Sequence, residues 1–406
     1  MHAFMLAVAI TAQAVWPGGR ERELNSSFRF RATFTRGDLA PVLRVVAPYP
    51  YKAYLNGEFL GYGPARAAKG YFRPDEWTLA KAKKDGKSEL VIFACAYNEG
   101  ACYCTPDNPA FLVAEVVEGD RVLARTGRDF SAFEVPRRRN VSRHSFQRGF
   151  NEVWEVGGEP CAEVPLAVRD VELKLLPHRS SYPKFEIHAP FHPVKRTNVR
   201  YDAQKEVKSI DFIDGVVPGA PEYYVGCKLF PKAGLEANLW DEMQRLENDP
   251  NGQDGKAVVF DSGSLATGFL GFRVKCAKPG RLYALFDEVM TPDGDVDPAR
   301  LHVGNACRWD IVKPGDYALE TFEPYGMRAV KFVMIGGEAE VSGVQIRALR
   351  SPSADAKVFD CSDRELCRIF EAARETFAQN AVDVFTDCPS RERAGWLCDS
   401  YFTGPA

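Results

Sequence analysis

Tyr51-Lys52-Ala53-Tyr54-Leu55-Asn56-Gly57-Glu58-Phe59-Leu60-Gly61-Tyr62 reads as two short strands joined by a two-residue turn. Asn-Gly suits a type I′ turn, which needs positive φ at both central positions and matches the twist of the flanking strands. Upstream, Phe28-Arg29-Phe30-Arg31-Ala32-Thr33-Phe34 alternates apolar and polar residues, the pattern of a strand buried on one face. Further strands are expected at Leu90–Ala96, Phe111–Val117 and Val164–Leu175. Residues 1–176 are therefore expected to form a β-sandwich of jelly-roll type.

Beyond it, Pro177, Pro183, Pro190 and Pro193 break any regular element between Pro177 and Val194, which reads as a linker or a surface excursion. The polar stretch Asn238–Lys256 predicts an exposed helix or loop. A second run of strands follows, clearest at Gly268–Val274, Leu282–Glu288, Ala329–Ile335 and Val341–Ala348. Pro279-Gly280, Asp293-Gly294, Pro314-Gly315 and Gly336-Gly337 punctuate them, so residues 177–352 predict a linker and a second sandwich. The period then changes. Ser362-Asp363-Arg364-Glu365 has the form of a capping box, and Leu366, Ile369, Phe370, Ala373 and Phe377 recur on one helical face as far as about Val382. A third, helical region thus opens at residues 353–406.

Composition sets the outer limits. The chain has 406 residues, 45% of them apolar and 26% charged, with a net charge of -3. That balance is ordinary for a globular protein and provides no pull toward nucleic acid or anionic membrane. Arg137-Arg138-Arg139 reads as a solvated loop. No apolar run reaches the ~18 residues of a membrane span. Phe4–Val15, with Ala12-Gln13-Ala14, has the look of a short signal core, but Met1-His2-Ala3 lacks a basic residue. The 11 cysteines are an odd number without metal-ligand spacing, and Cys102-Tyr103-Cys104 is too tight for an ordinary zinc knuckle. Several, among them Cys95, Cys227, Cys276 and Cys361, are scattered, many in apolar runs, which suits small buried hydrophobes in a reducing compartment. The expected location is cytoplasmic, with secretion or the periplasm as the alternative if Met1–Ala14 is a signal peptide.

Metal and nucleotide sites find little support. Pro190 between His188 and His192 forbids the helix that would align the two rings. Asp293, Asp295 and Asp297 imitate the start of a calcium loop, yet Pro298 and Gly304 stand where Gly and Glu are needed, so a turn is expected. No phosphate loop or nucleophile elbow occurs. Neither a metal nor a cofactor is expected.

The chemistry concentrates in Phe385-Thr386-Asp387-Cys388-Pro389-Ser390-Arg391-Glu392-Arg393-Ala394-Gly395-Trp396-Leu397-Cys398-Asp399-Ser400. Carboxylates can accept paired hydrogen bonds from vicinal hydroxyls, a Trp face can cover a pyranose ring, and one carboxylic acid can protonate a leaving glycosidic oxygen. Taken without further context, such a loop is more often a solvated, salt-bridged face.

This run resembles the signature of glycoside hydrolase family 78, the α-L-rhamnosidases, approximately D-C-P-Q-R-x-E-R-x-G-W-x-G-D. The resemblance implies that Glu392 is the general acid and that Asp387, Arg391, Trp396 and Asp399 bind the sugar. Tyr54-Leu55-Asn56-Gly57, Phe146-Gln147-Arg148-Gly149-Phe150-Asn151-Glu152 and Phe286-Asp287-Glu288 through Asp293-Gly294 are similar to segments preceding the family's catalytic barrel. Ser390 replaces the usual Gln, and Leu397-Cys398 replaces Thr-Gly before Asp399, which leaves a related barrel glycosidase with another sugar as an alternative. The family's catalytic domain is an (α/α)6 toroid whose general base is a Glu far downstream. An inverting mechanism needs that second carboxylate ~6.5–9.5 Å from the acid, and no candidate is found in this chain. The expectation is a mainly β protein: two sandwiches followed by the first helices of an incomplete barrel, inactive as a fragment and with its first helical face uncovered. The expected partner is a rhamnose-containing glycan or glycoside. A non-catalytic carbohydrate-binding β-sandwich protein is the reading from a different class, and the oligomeric state is left open.

Overall fold

The computed structural model describes residues 10–99, 109–145, 147–188, 191–207, 235–301, 303–356 and 358–404. The protein is mainly β, and it divides into two compact units. One comprises the described residues of Met1–Glu99, Cys104–Val135 and Pro160–Arg179; the other comprises those of Pro136–Glu159 and Ser180–Ala406. Cys102, Cys104, Cys227 and most of the signal-like segment lie outside the described residues.

In the first unit a six-stranded sheet runs in the order Glu163–Val164, Ser131–Glu134, Ser26–Phe34, Ser88–Ala96, Tyr51–Leu55, Glu58–Gly63. Phe28, Phe30, Ala32 and Phe34 are buried while Arg31 and Thr33 are exposed, as the two-residue period requires. At the hairpin, Asn56 and Gly57 take φ of 52° and 82°, and Leu55 pairs with Glu58. Asn-Gly is there because a Cβ-bearing residue other than Asn would be strained at that φ. A four-stranded sheet orders Asp75–Thr78, Val42–Val46, Val113–Glu118 and Arg121–Arg125. The long strand expected over Val164–Leu175 is not formed. Glu163–Val164 and Leu166–Val168 pair on two different sheets with Pro165 between them, and further on only Leu175 forms an isolated bridge, to Phe72. Proline has no N–H to donate to a ladder, so the strand is interrupted there.

The second unit is organised by one strand of 24 residues, Gly255–Lys278. Its first half pairs with His192–Tyr201 and Tyr325–Ile335; its second half pairs with Gly315–Glu320 and Glu338–Ala348. The register shifts between Asp261 and Ala266, where Gly263 has φ 77°. Sequence periodicity resolved only Gly268–Val274 of this strand, because the bulge interrupts the alternation. Leu270, Phe272 and Val274 enter a core with Trp309, Phe332 and Ile346. Glu152–Val156 adds to the sheet as a parallel strand beside Ala306–Ile311. The stretch expected to be exposed at Asn238–Lys256 instead contains α1, Leu239–Gln244, whose Leu239, Trp240 and Met243 are buried. The Asn238 side chain caps it by accepting from the Asp241 N–H.

The helical region holds a 3-10 turn at Pro352–Ala356, then α2 at Arg364–Asn380 and α3 at Leu397–Thr403. The cap of α2 is Asp363, one residue after the Ser read from the capping-box pattern. Asp363 is extended, and its Oδ1 accepts from the Glu365 and Leu366 amides at 2.8 and 3.3 Å. The helix ends at Asn380 rather than near Val382. No helix among the described residues is long and apolar enough to cross a membrane.

Candidate active site

The turn between α2 and α3 is a closed structure. The Asp387 N–H donates to the Ala394 carbonyl at 3.0 Å, and the Ala394 N–H returns to Asp387 Oδ1 at 2.9 Å. Inside this ring the Cys388 thiol donates to Asp387 Oδ2 at 3.2 Å and accepts from the Glu392 amide at 3.3 Å. Burial, the largest influence on that thiol, pushes it up and keeps it a neutral donor. Arg393 closes the turn in the left-handed region, at φ 53°. That conformation costs a residue with a Cβ about 1–2 kcal/mol, so the surrounding contacts have to hold it.

Glu392 is 8% exposed. Its Oε1 accepts from Arg391 Nη2 at 2.9 Å and its Oε2 from Trp396 Nε1 at 2.8 Å. Three of the five residues singled out in the sequence thus meet directly. Asp387 is one hydrogen-bonded step away, through Cys388 and the Glu392 amide. Asp399 lies in the first turn of α3, where its Oδ2 accepts from Cys398 Sγ at 3.2 Å. No described hydrogen bond or ion pair joins it to the other four. The Trp396 side chain is 45% exposed, which leaves part of its ring open to a ligand.

The turn is seated on the β-sheet. Thr386 Oγ1 donates to both the carbonyl and the side chain of Asn380 at the end of α2. One residue earlier, Gln379 Oε1 accepts from Thr267 Oγ1 at 2.7 Å. The Ser390 hydroxyl donates to Glu288, and the Ser390 carbonyl accepts from Arg148 Nη1 at 2.6 Å. Glu323 lies 3.7 Å from Arg148 and 3.9 Å from Arg393. The sequence marks the segment around Arg148 only as a resemblance, whereas Asp287-Glu288 reads equally as reaching toward an active site or as an exposed strand end, and Glu288 does meet the turn. Their contacts run between distant parts of the chain, and nothing in local periodicity reports them.

The acidic run near Asp293 is an ion-pair cluster. Asp293 accepts from Lys195 Nζ at 2.7 Å and Asp295 from Lys331 Nζ at 3.2 Å. Lys195 and its hydrogen bond hold the Asp293 carboxyl down at about 2. His192 opens the strand His192–Tyr201, so its backbone is extended. Pro190, on which the argument against a histidine pair rests, lies outside the described residues.

Comparison with known proteins finds similarity in the same region. Residues 354–406 match the family model described as the bacterial alpha-L-rhamnosidase 6 hairpin glycosidase domain. A curated α-L-rhamnosidase of Formosa agariphila is 24% identical over 164 residues, covering 38% of this chain and 17% of that protein. Among solved structures, the family 78 rhamnosidase of Bacillus sp. GL1 superposes with a TM-score of 0.80 at 16% identity, over 97% of this chain and 61% of the other. The Streptomyces avermitilis α-L-rhamnosidase complexed with L-rhamnose gives 0.56 at 17% identity, over 94% of this chain and 34% of the other. The match of residues 354–406 is confined to the helical region, and the chain as a whole has the fold seen in family 78 rhamnosidases. The chain spans less than two thirds of the length of these relatives.

Proposed function

We propose that this chain is part of an inverting glycoside hydrolase that removes terminal α-L-rhamnose from glycans or glycosides. The observation that carries the proposal is the Glu392 carboxyl, buried and held between Arg391 and Trp396 inside the segment that matches the rhamnosidase domain. Glu392 is the general acid; Asp387, Arg391, Trp396 and Asp399 hold the sugar. Both oxygens of Glu392 accept hydrogen bonds in the structure, whereas a protonated carboxyl must present one oxygen as a donor. One contact therefore opens for catalysis. Arg391, with a side chain 49% exposed on a flexible stem, is the partner free to swing onto a sugar hydroxyl. Oε1 then carries the proton toward the glycosidic oxygen. The water-activating base is placed on a carboxylate outside this sequence, so the 406 residues alone are not expected to turn over substrate.

In this reading residues 1–176 and 177–352 are two jelly-roll-like sandwich domains, and 353–406 open an (α/α)6 barrel. Cys276 and Cys307 are free and buried, which supports a reducing, cytoplasmic location. The contact between Cys398 and Asp399 supports a second reading, a glycosidase of the same architecture with another sugar, because that thiol occupies the flank of a sugar-binding carboxylate.

Glu392→Gln in the whole gene product tests the acid. We expect kcat on a rhamnoside with a poor leaving group to fall about 100- to 10,000-fold, the usual contribution of a positioned acid. Activity within a factor of three of the parent would remove Glu392 from the mechanism.

A further inference from the structure

Arg148 carries an ionic side chain into the interior of the second unit at 1% exposure. A buried guanidinium is costly unless its donors are used. Here they are directed at backbone: Nη1 donates to the Ser390 carbonyl at 2.6 Å and Nη2 to the Pro324 carbonyl at 3.1 Å. The guanidinium also lies over the Tyr325 ring, 5.4 Å from its centroid. Pro324 and Tyr325 enter the sheet strand Tyr325–Ile335, while Ser390 belongs to the turn that carries Glu392. One planar fork therefore ties that turn to the scaffold.

Neighbouring contacts repeat the arrangement. The Ser145 hydroxyl donates to the Arg391 carbonyl at 3.4 Å. Glu323 stands between Arg148 and Arg393, so a single carboxylate faces one guanidinium from the scaffold and one from the turn. The turn is thus held on both sides of Glu392, through the carbonyls of residues 390 and 391 and the side chain of Arg393. Core filling alone does not account for this, because an apolar side chain of the same volume would fill the space and leave both carbonyls unpaired.

We propose that Arg148 is a positioning residue of the glycosidase site. By fixing the Ser390 carbonyl against the sheet it sets the direction of the Glu392 carboxyl, and it does so without touching substrate. The inference rests on the rhamnosidase reading for its catalytic consequence, though not for the contact itself. Lysine is a poor substitute, since an ammonium on a flexible stem does not reproduce a two-pronged planar donor.

The test uses Arg148→Lys and Arg148→Met in the whole gene product, with two α-L-rhamnosides, one bearing a 4-nitrophenoxide leaving group and one an alkyl alcohol. The alkyl substrate needs the acid far more than the nitrophenyl one. A misdirected acid should lower kcat on the alkyl rhamnoside about 100-fold, the scale of a ~1 Å misplacement, and on the nitrophenyl rhamnoside by less than about tenfold. KM should stay within about threefold. General loss of folded protein would lower both rates by one factor and leave their ratio unchanged, and that result overturns the proposal. Should Arg148→Met not fold, Arg148→Lys supplies the same ratio.

Amide hydrogen exchange separates this idea from the function it serves. In Arg148→Lys, exchange should rise over residues 388–394 and stay at the parent's level in the strand Tyr325–Ile335. An increase spread evenly over both, or none in the turn, overturns the positioning role. A parent protein that hydrolyses neither substrate would instead overturn the rhamnosidase reading, with the exchange result still deciding the contact.

Discussion

The two ends of α2 are held in different ways. At its C-terminal end Ala378, Gln379 and Asn380 are buried, and the chain is tied to the sheet by the Thr267–Gln379 hydrogen bond and by the Ser351 amide donating to the Ala378 carbonyl. At its N-terminal end Leu366 and Ile369 are 50% and 59% exposed, although both belong to the apolar face. The hydrophobic pattern is therefore not what seats this helix. Directed polar contacts near residue 380 place it, and with it the turn that carries Glu392. Amphipathic spacing shows that a helix wants cover on one side, and only the structure shows where it is anchored.

The largest break in this contrast should come from the anchored end. Ala378→Leu forces three extra carbons into a fully buried position, where overpacking costs about 1–3 kcal/mol. A clear fall in Tm is expected, together with faster amide exchange at Thr386 and Asp387. An unchanged Tm would mean that the anchored end has room that the structure denies it. Asp363→Ala acts on the other end by removing the side chain that accepts from Glu365 and Leu366. Loss of such a cap costs about 1 kcal/mol. Because this end is largely exposed, the effect should appear as fraying of residues 364–368 in amide exchange, with little movement of the turn at 387–394.

Between the two ends lies a charged seat. Asp355, on the 3-10 turn, accepts from Lys184 Nζ at 2.7 Å and from Arg350 Nη2 at 3.0 Å, and Arg350 also reaches Glu375 of α2 at 3.1 Å. The Lys184 hydrogen bond, followed by that of Arg350, lowers the Asp355 carboxyl to about 2. A depressed folded-state value stabilises the fold only while the group is ionised. The contribution is present above the ordinary carboxylate value of 3.8 and is lost as pH falls through about 2. Asp355→Asn should therefore lower Tm slightly at pH 5, and the gap from the parent should close as pH drops toward 2. A gap that widens on acidification would show that another group governs this region. The exposure of the pair keeps the effect small.

How much of this was legible beforehand follows from the range of the interactions. The Asn56-Gly57 hairpin and the alternation of Phe28–Phe34 are local, and both stand in the structure at the expected residues. Strand limits were lost where a bulge at 262–265 or Pro165 interrupts the period. In the site, the grouping of Arg391, Glu392 and Trp396 could be read because it spans six residues of one turn. The contacts of Arg148 and Glu323 could not, since each joins the turn to a strand or loop far away in the chain. The cap shifted from Ser362 to Asp363 because both side chains can accept at a helix start, and only backbone geometry chooses between them.

The smallest effect decides what the uncovered face of α2 means. Leu366 lies half in solvent, so Leu366→Ala should change stability by less than about 0.5 kcal/mol, as surface substitutions do. A buried leucine loses about 2–5 kcal/mol in the same exchange. The gap between those values is wide enough for one thermal melt of the whole gene product to resolve. A loss near the smaller value means that this face meets water in solution and that the polar anchor at Gln379 carries the helix alone. A loss of 2 kcal/mol or more means that something covers Leu366 and Ile369, and the helix is then held at both ends. In that case the contrast drawn between its two ends is a property of these residues taken by themselves rather than of the molecule at work.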